Sequence, residues 1–90
     1  MFNFSIEDFT SSIGTIDFEF DVGYDVVSDE SGTEYDWYPD SSIGVTVYDD
    51  DGNVTAELLL KSEDPLSQEI FKHYNRHIVD LCHDDYSASW

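Results

Sequence analysis

The chain has 90 residues, with 21 Asp and Glu against three Lys and Arg and a formal net charge of -18. That length supports one domain around one modest core, and 40% apolar with 16% aromatic residues is too hydrophobic for a disordered acidic tail. Residues 1–60 hold 15 acids and no Lys or Arg, which excludes nucleic acid and anionic membrane as direct ligands, since both need a positive footprint.

Cys82 is the single cysteine, so there is no internal disulfide framework, and a lone thiol suits a reducing compartment. MFNFSIEDF lacks the basic and apolar regions of a signal peptide, and no apolar run approaches the ~20 residues that span a bilayer. These features predict a cytoplasmic protein.

In MFNFSIEDF, Phe2, Phe4 and Ile6 share one parity and predict a short strand, followed by a turn at Ser11, Ser12 and Gly14. TIDFEFDVGYDVVS, residues 15–28, is the clearest strand. Ile16, Phe18, Phe20, Val22, Tyr24 and Val26 fall on one parity, Asp17, Glu19, Asp21 and Asp25 on the other, with Gly23 as a predicted bulge. Residues 28–32, SDESG, read as a hairpin loop. TEYDWY, residues 33–38, is the next strand, with Tyr35 and Trp37 on one side, and Pro39 ends it because it cannot donate to a ladder. IGVTVY, residues 43–48, turns Ile43, Val45 and Val47 inward. Asp51-Gly52 predicts a hairpin, and residues 54–60 pair back with Val54, Ala56, Leu58 and Leu60 on one face.

After Lys61 the apolar period changes from 2 to about 3.6. Asp64 is placed as N-cap and Pro65 as the first helical residue, and Leu66, Ile70, Phe71, Tyr74, Ile78, Leu81 and Cys82 form the apolar stripe. The opposite side carries Glu69, Lys72, His73, Arg76, Asp80 and Asp84. The helix is predicted over 65–83, with residues 84–90 as a loosely held tail. The fold class is therefore α+β: one domain, residues 1–90, an antiparallel meander of four or five strands with a C-terminal helix packed on its apolar face.

The functional question lies in the acids. Carboxylates at 17, 19, 21 and 25 recur at roughly 6.6 Å along one face of a strand, of the order of the phosphate spacing along a nucleic-acid strand. Glu34 and Asp36, with the loop acids Asp29, Glu30, Asp40, Asp49, Asp50 and Asp51, widen the row into a field. An acidic face kept for solubility or edge protection is the plain alternative, but ordinary surfaces intersperse both signs. Halophilic adaptation fits poorly with so many aromatics. Tyr38 and Tyr48 fall on the outward parity and Trp90 ends the chain; such aromatics amid charge suit interface anchors.

Other chemistry is weaker. YDDDGN, residues 48–53, alternates Asp49, Asp51 and Asn53 like a calcium loop, but Gly52 is misplaced and residue 60 is Leu where a bidentate Glu belongs. His73, His77 and Asp80 share a helix face, yet no partner set completes a transition-metal site. No phosphate-cradling loop and no convincing nucleophile–base set is present, so neither an enzyme nor a cofactor is expected.

In size, acidity, aromatic content and the strand acids Asp17, Glu19, Asp21 and Asp25, the chain resembles small DNA-mimic proteins made by phages and mobile elements. These include anti-restriction proteins, uracil-DNA glycosylase inhibitors and several anti-CRISPR proteins. The order TIDFEFDVGYDV, YDWYP, IGVTVYDDDG and then one helix is also similar to small phage proteins. The resemblance implies an inhibitor, acting in the host cytoplasm, that occupies the DNA- or RNA-binding site of a defence or DNA-processing enzyme. Its partner would be a basic nucleic-acid-binding protein, and pairing of two copies to lengthen the acidic surface is left open. Two further readings are an assembly partner or chaperone of a basic protein, and a divalent-metal-binding protein.

Overall fold

A computed structural model describes residues 1–88. Five antiparallel strands, β1 (Phe2–Ser11), β2 (Gly14–Asp29), β3 (Gly32–Pro39), β4 (Ile43–Tyr48) and β5 (Val54–Leu60), precede one helix, α1 (Pro65–Ala88). The architecture is the expected α+β meander with a C-terminal helix.

β2 organises the sheet. Along one edge it pairs with β1, from Ser11↔Gly14 to Phe2↔Val22. Along the other it pairs first with β4, from Thr15↔Tyr48 to Glu19↔Gly44, and then with β3, from Val22↔Pro39 to Asp29↔Gly32. β3 and β4 are thus one returning strand with a break, where residues 40–43 face residues 20–21 of β2. Pro39 has no N–H to continue the ladder. Asp40 N–H bonds the Asp21 carbonyl at 2.8 Å instead, and Asp21 N–H bonds Ser41 Oγ at 2.9 Å. β5 then pairs with β4 as the last strand. Beyond Val22 only β3 accompanies β2, so those two strands form an arm, and the molecule measures 50 × 23 × 19 Å.

The core follows the alternation. Phe4, Phe9, Ile16, Phe18, Phe20, Val22, Ile43 and Val45 are buried from the sheet, and Ile70, Ile78 and Cys82 from the helix. Tyr74 meets Phe4 at 5.6 Å between ring centroids, and Phe71 meets Phe20 at 5.6 Å. Full burial of a ring such as Phe4 or Phe20 is worth on the order of 1.5–3 kcal/mol, and the half-buried Tyr74 and Phe71 contribute less. Burial also raises the Cys82 thiol above its ordinary pKa, which keeps it protonated and unreactive.

The helix starts at Pro65. Gln68 N–H reaches the Asp64 carbonyl at 3.1 Å, while the Asp64 carboxylate turns back to Lys61 N–H at 2.8 Å. Its far end corrects the sequence reading: residues 84–88 are helical and not a loose tail, because they have partners on the arm. Tyr24 Oη donates to Asp85 at 2.7 Å, and the Tyr86 ring lies 6.0 Å from that of Tyr35. The N-terminal ammonium adds an ion pair to Asp85 at 3.7 Å. Ser89 and Trp90, including the proposed Trp90 anchor, lie outside the described residues. Among the described residues, no helix is long and apolar enough to cross a membrane.

A second correction concerns the bulge. Gly23 pairs regularly with Tyr38, and the irregularity falls in β1 between Ile6 and Phe9, where Asp8 takes φ 58°. One extra residue there keeps Phe9 on the same inner face as Ile6. Gly23 has another cause: a Cβ would stand 2.6 Å from the Tyr38 ring, which lies across it.

Candidate protein-interaction face

Period-2 geometry turns Asp17, Glu19, Asp21 and Asp25 away from the helix, as their alternation with buried Ile16, Phe18, Phe20 and Val22 requires. Registry adds neighbours to this outer face. Asp36 lies directly across from Asp25, and Glu34 across from Val27. Like charges opposite each other on a sheet are unfavourable, and no base compensates. Lys72 and Arg76 are on α1, behind the sheet, and among the described residues no outer-face carboxylate is ion-paired with Lys or Arg.

Two kinds of acid emerge. Glu19, Asp25, Glu34 and Asp36 are exposed, and their side chains make no hydrogen bond among the described residues. Others are engaged in the fold. Asp17 Oδ1 accepts Asp8 N–H at 2.9 Å, holding the bulge, and Asp17 Oδ2 accepts Tyr48 Oη at 2.7 Å. That bond raises the Tyr48 pKa, since a phenolate would face the Asp17 carboxylate. Tyr48 is therefore a half-buried support and not a free anchor, whereas Tyr38 is 44% exposed and remains presented. Asp21 Oδ1 accepts Asn3 Nδ2 at 3.3 Å.

The loop acids lie along the molecule and beyond the face itself. Asp29 caps the β2–β3 turn, with Oδ1 accepting Ser31 N–H and Oγ at 2.9 and 2.6 Å, and these bonds hold its carboxyl below the usual range. Glu30 sits in that turn. Asp40 is exposed at the β3–β4 break. At the opposite end, Asp49 Oδ1 accepts the N–H groups of Asp51 and Asn53 at 2.9 and 2.8 Å, which closes the β4–β5 turn with Gly52 at φ 84°. Asp50 and Asp51 are exposed beside it. The predicted acids therefore run from one tip of the molecule to the other.

The structure also adds acids absent from the predicted set. Glu7 and Glu57 join Asp17 and Glu19 around a shallow groove on the outer face, floored by Gly44, which lies between Glu19 of β2 and Leu59 of β5. Asp8 joins Glu7, Asp17, Asp49 and Asp50 around a second hollow near the β4–β5 turn. Parity alone could have assigned Glu7 and Glu57 outward; Asp8 depended on the bulge.

The histidines do not converge on a cation. The His73 ring stands 5.1 Å from Phe9, that of His77 5.6 Å from Phe4, and His83 Nδ1 is 2.8 Å from Tyr35 Oη. Among the described residues no group of three His, Cys, Asp or Glu side chains is disposed to hold a metal ion. No protein-family model matches the chain, and no curated protein or solved structure matches it either.

Proposed function

We propose that the chain is an acidic mimic of nucleic acid that inhibits a basic DNA- or RNA-binding enzyme, of the host-defence or DNA-processing kind, by occupying its phosphate-binding groove. One observation carries this reading: the carboxylates of β2 and β3 stand outward on a packed sheet with no Lys or Arg among them. A groove built for phosphates presents Lys and Arg to a regular anionic ladder. Coulomb steering speeds encounter with such a groove, and an exposed ring such as Tyr38 slows release.

The test uses Glu19→Lys, Asp25→Lys and Asp36→Lys together, sparing Asp17 because it supports the bulge. Proteins captured from host lysate by the wild-type chain should be basic nucleic-acid-binding proteins, and duplex DNA should displace them. The triple reversal should lower affinity by roughly 100-fold or more, because like charges would then meet. A captured protein that holds duplex and this chain at once would instead mark an assembly partner and sink the mimic reading.

A further inference from the structure

Four stretches of strand edge are unpaired among the described residues: the outer edge of β1, the β1-side edge of β2 beyond Val22, the outer edge of β3 and the outer edge of β5. Unpaired edges invite strand addition unless charge, proline or bulges block it. β1 is interrupted by its bulge with Glu7 and Asp8, which leaves only Phe2–Ile6 regular and without charges to pair, the β2 stretch carries Asp25 and Asp29, and β3 carries Glu34, Asp36 and Pro39. β5 carries a single acid, Glu57, and no Pro, its register shift lies at its start between Val54 and Ala56, and it is followed by a base, Lys61. Its pairing with β4 is regular from Ala56↔Val47 to Leu60↔Ile43, and Leu59 and Leu58 are 78% and 38% exposed.

The charges of this edge also complement themselves. Glu57 is the only acid of β5, and Lys61, the first base of the chain, follows the strand. When two β5 strands run antiparallel about a two-fold axis at Leu59, Glu57 falls opposite Lys61 of the other copy, Leu58 opposite Leu60, and Leu59 opposite itself. A two-fold at Glu57 would oppose two carboxylates, and one at Leu58 would leave both charges facing apolar or neutral side chains. We infer that the β5 edge pairs with the β5 edge of a second copy, in the register centred on Leu59, joining two sheets into one.

The ladder is short, because Lys61 N–H is already given to Asp64 and its carbonyl accepts Ser67 Oγ at 2.7 Å. The dimer is therefore weak, and two bodies of charge -18 repel each other at range. Salt should strengthen it: screening shortens the Debye length from about 10 Å at 0.1 M to about 3 Å at 1 M. This dependence is opposite to that of a basic target, so the pairing stands or falls apart from the proposed inhibition.

Sedimentation equilibrium of the whole chain should show association rising at least about tenfold between those two salt concentrations. At the lower one, Glu57→Lys should reduce association, even though gaining two positive charges moves the net charge from -18 to -16 and eases the general repulsion. Lys61→Glu should do the same, and the double exchange should restore it. Under mild oxidation Leu59→Cys should cross-link to its own copy, while Val54→Cys, 55% exposed but off the axis, should not. Circular dichroism checks that each variant is folded. A chain that stays monomeric at high salt, a double exchange that fails to restore association, or equal cross-linking at 54 and 59 would each overturn the pairing.

Discussion

β2 passes through two environments with one alternating pattern. Between Ile16 and Val22 it has strands on both edges and the helix on its inner face, so Ile16, Phe18, Phe20 and Val22 are 0–3% exposed. Beyond Val22, in the arm, the same parity brings Tyr24 and Val26 inward, yet both are only half-buried, since β3 is the one neighbouring strand. The inner side of the arm is accordingly aromatic and polar: Tyr24 bonds Asp85, Tyr35 bonds His83 at 2.8 Å, and Trp37 Nε1 donates to Asn75 at 2.8 Å. Alternation assigns a side; the number of neighbours sets how dry that side is.

The sharpest way to break the contrast is Phe20→Ala in the body. It removes the largest fully buried side chain and should cost about 3–5 kcal/mol, enough to unfold much of a domain this small. Urea denaturation followed by circular dichroism measures it. A loss below about 1 kcal/mol would show that the body is no better packed than the arm.

In the arm the effect should be smaller and pH-dependent. Tyr24→Phe deletes one partly exposed bond to a carboxylate and should cost about 1 kcal/mol. The Asp85 carboxylate, helped by burial, pushes the Tyr24 pKa from 10.0 up to about 12. The folded chain thus holds this proton more tightly than the unfolded one, so the bond's contribution is whole below pH 10 and disappears as pH rises towards 12. Wild type should lose that increment of stability over this interval and Tyr24→Phe should not, as parallel melts at pH 9 and pH 11 would record. Equal losses in both proteins would remove the bond from the account.

The smallest expected change is a gain. Asp36→Lys converts the Asp25↔Asp36 opposition into an attractive pair and should stabilise by about 0.2–1 kcal/mol at low salt. The gain should shrink as salt screens the exposed pair. A drop in Tm on this substitution would mean that the two carboxylates do not confront each other across the arm.

Much of this was legible in advance. The strands, the helix start at Pro65 and most inward residues followed from period-2 and period-3.6 patterns; buried Phe9 did not, because its parity is outward until the β1 bulge shifts it. The outward parity of Asp17, Glu19, Asp21 and Asp25 followed too. What escaped depended on partners distant in sequence. Asp17 and Tyr48 look equally exposed by parity, and only the pairing of β2 with β4 brings them together. The helical continuation through Tyr86 was hidden because Asp84 and Asp85 read as solvent-loving, while Asp85 has Tyr24 to accept from. Gly23 carried a bulge signal but answers to the Tyr38 ring.

The amino-acid order alone settled which side of β2, β3 and β4 meets the core and that one sheet face would be acidic, because backbone geometry alternates side chains, whereas at Phe9 the β1 bulge reset that parity. Tertiary structure decided which acids remain unengaged and which brace turns and the bulge. It also decided that β3 and β4 share one edge of β2 and that β5 is left as an open, apolar edge. Hydrogen bonds and strand registers join residues tens of positions apart, and no local period records them.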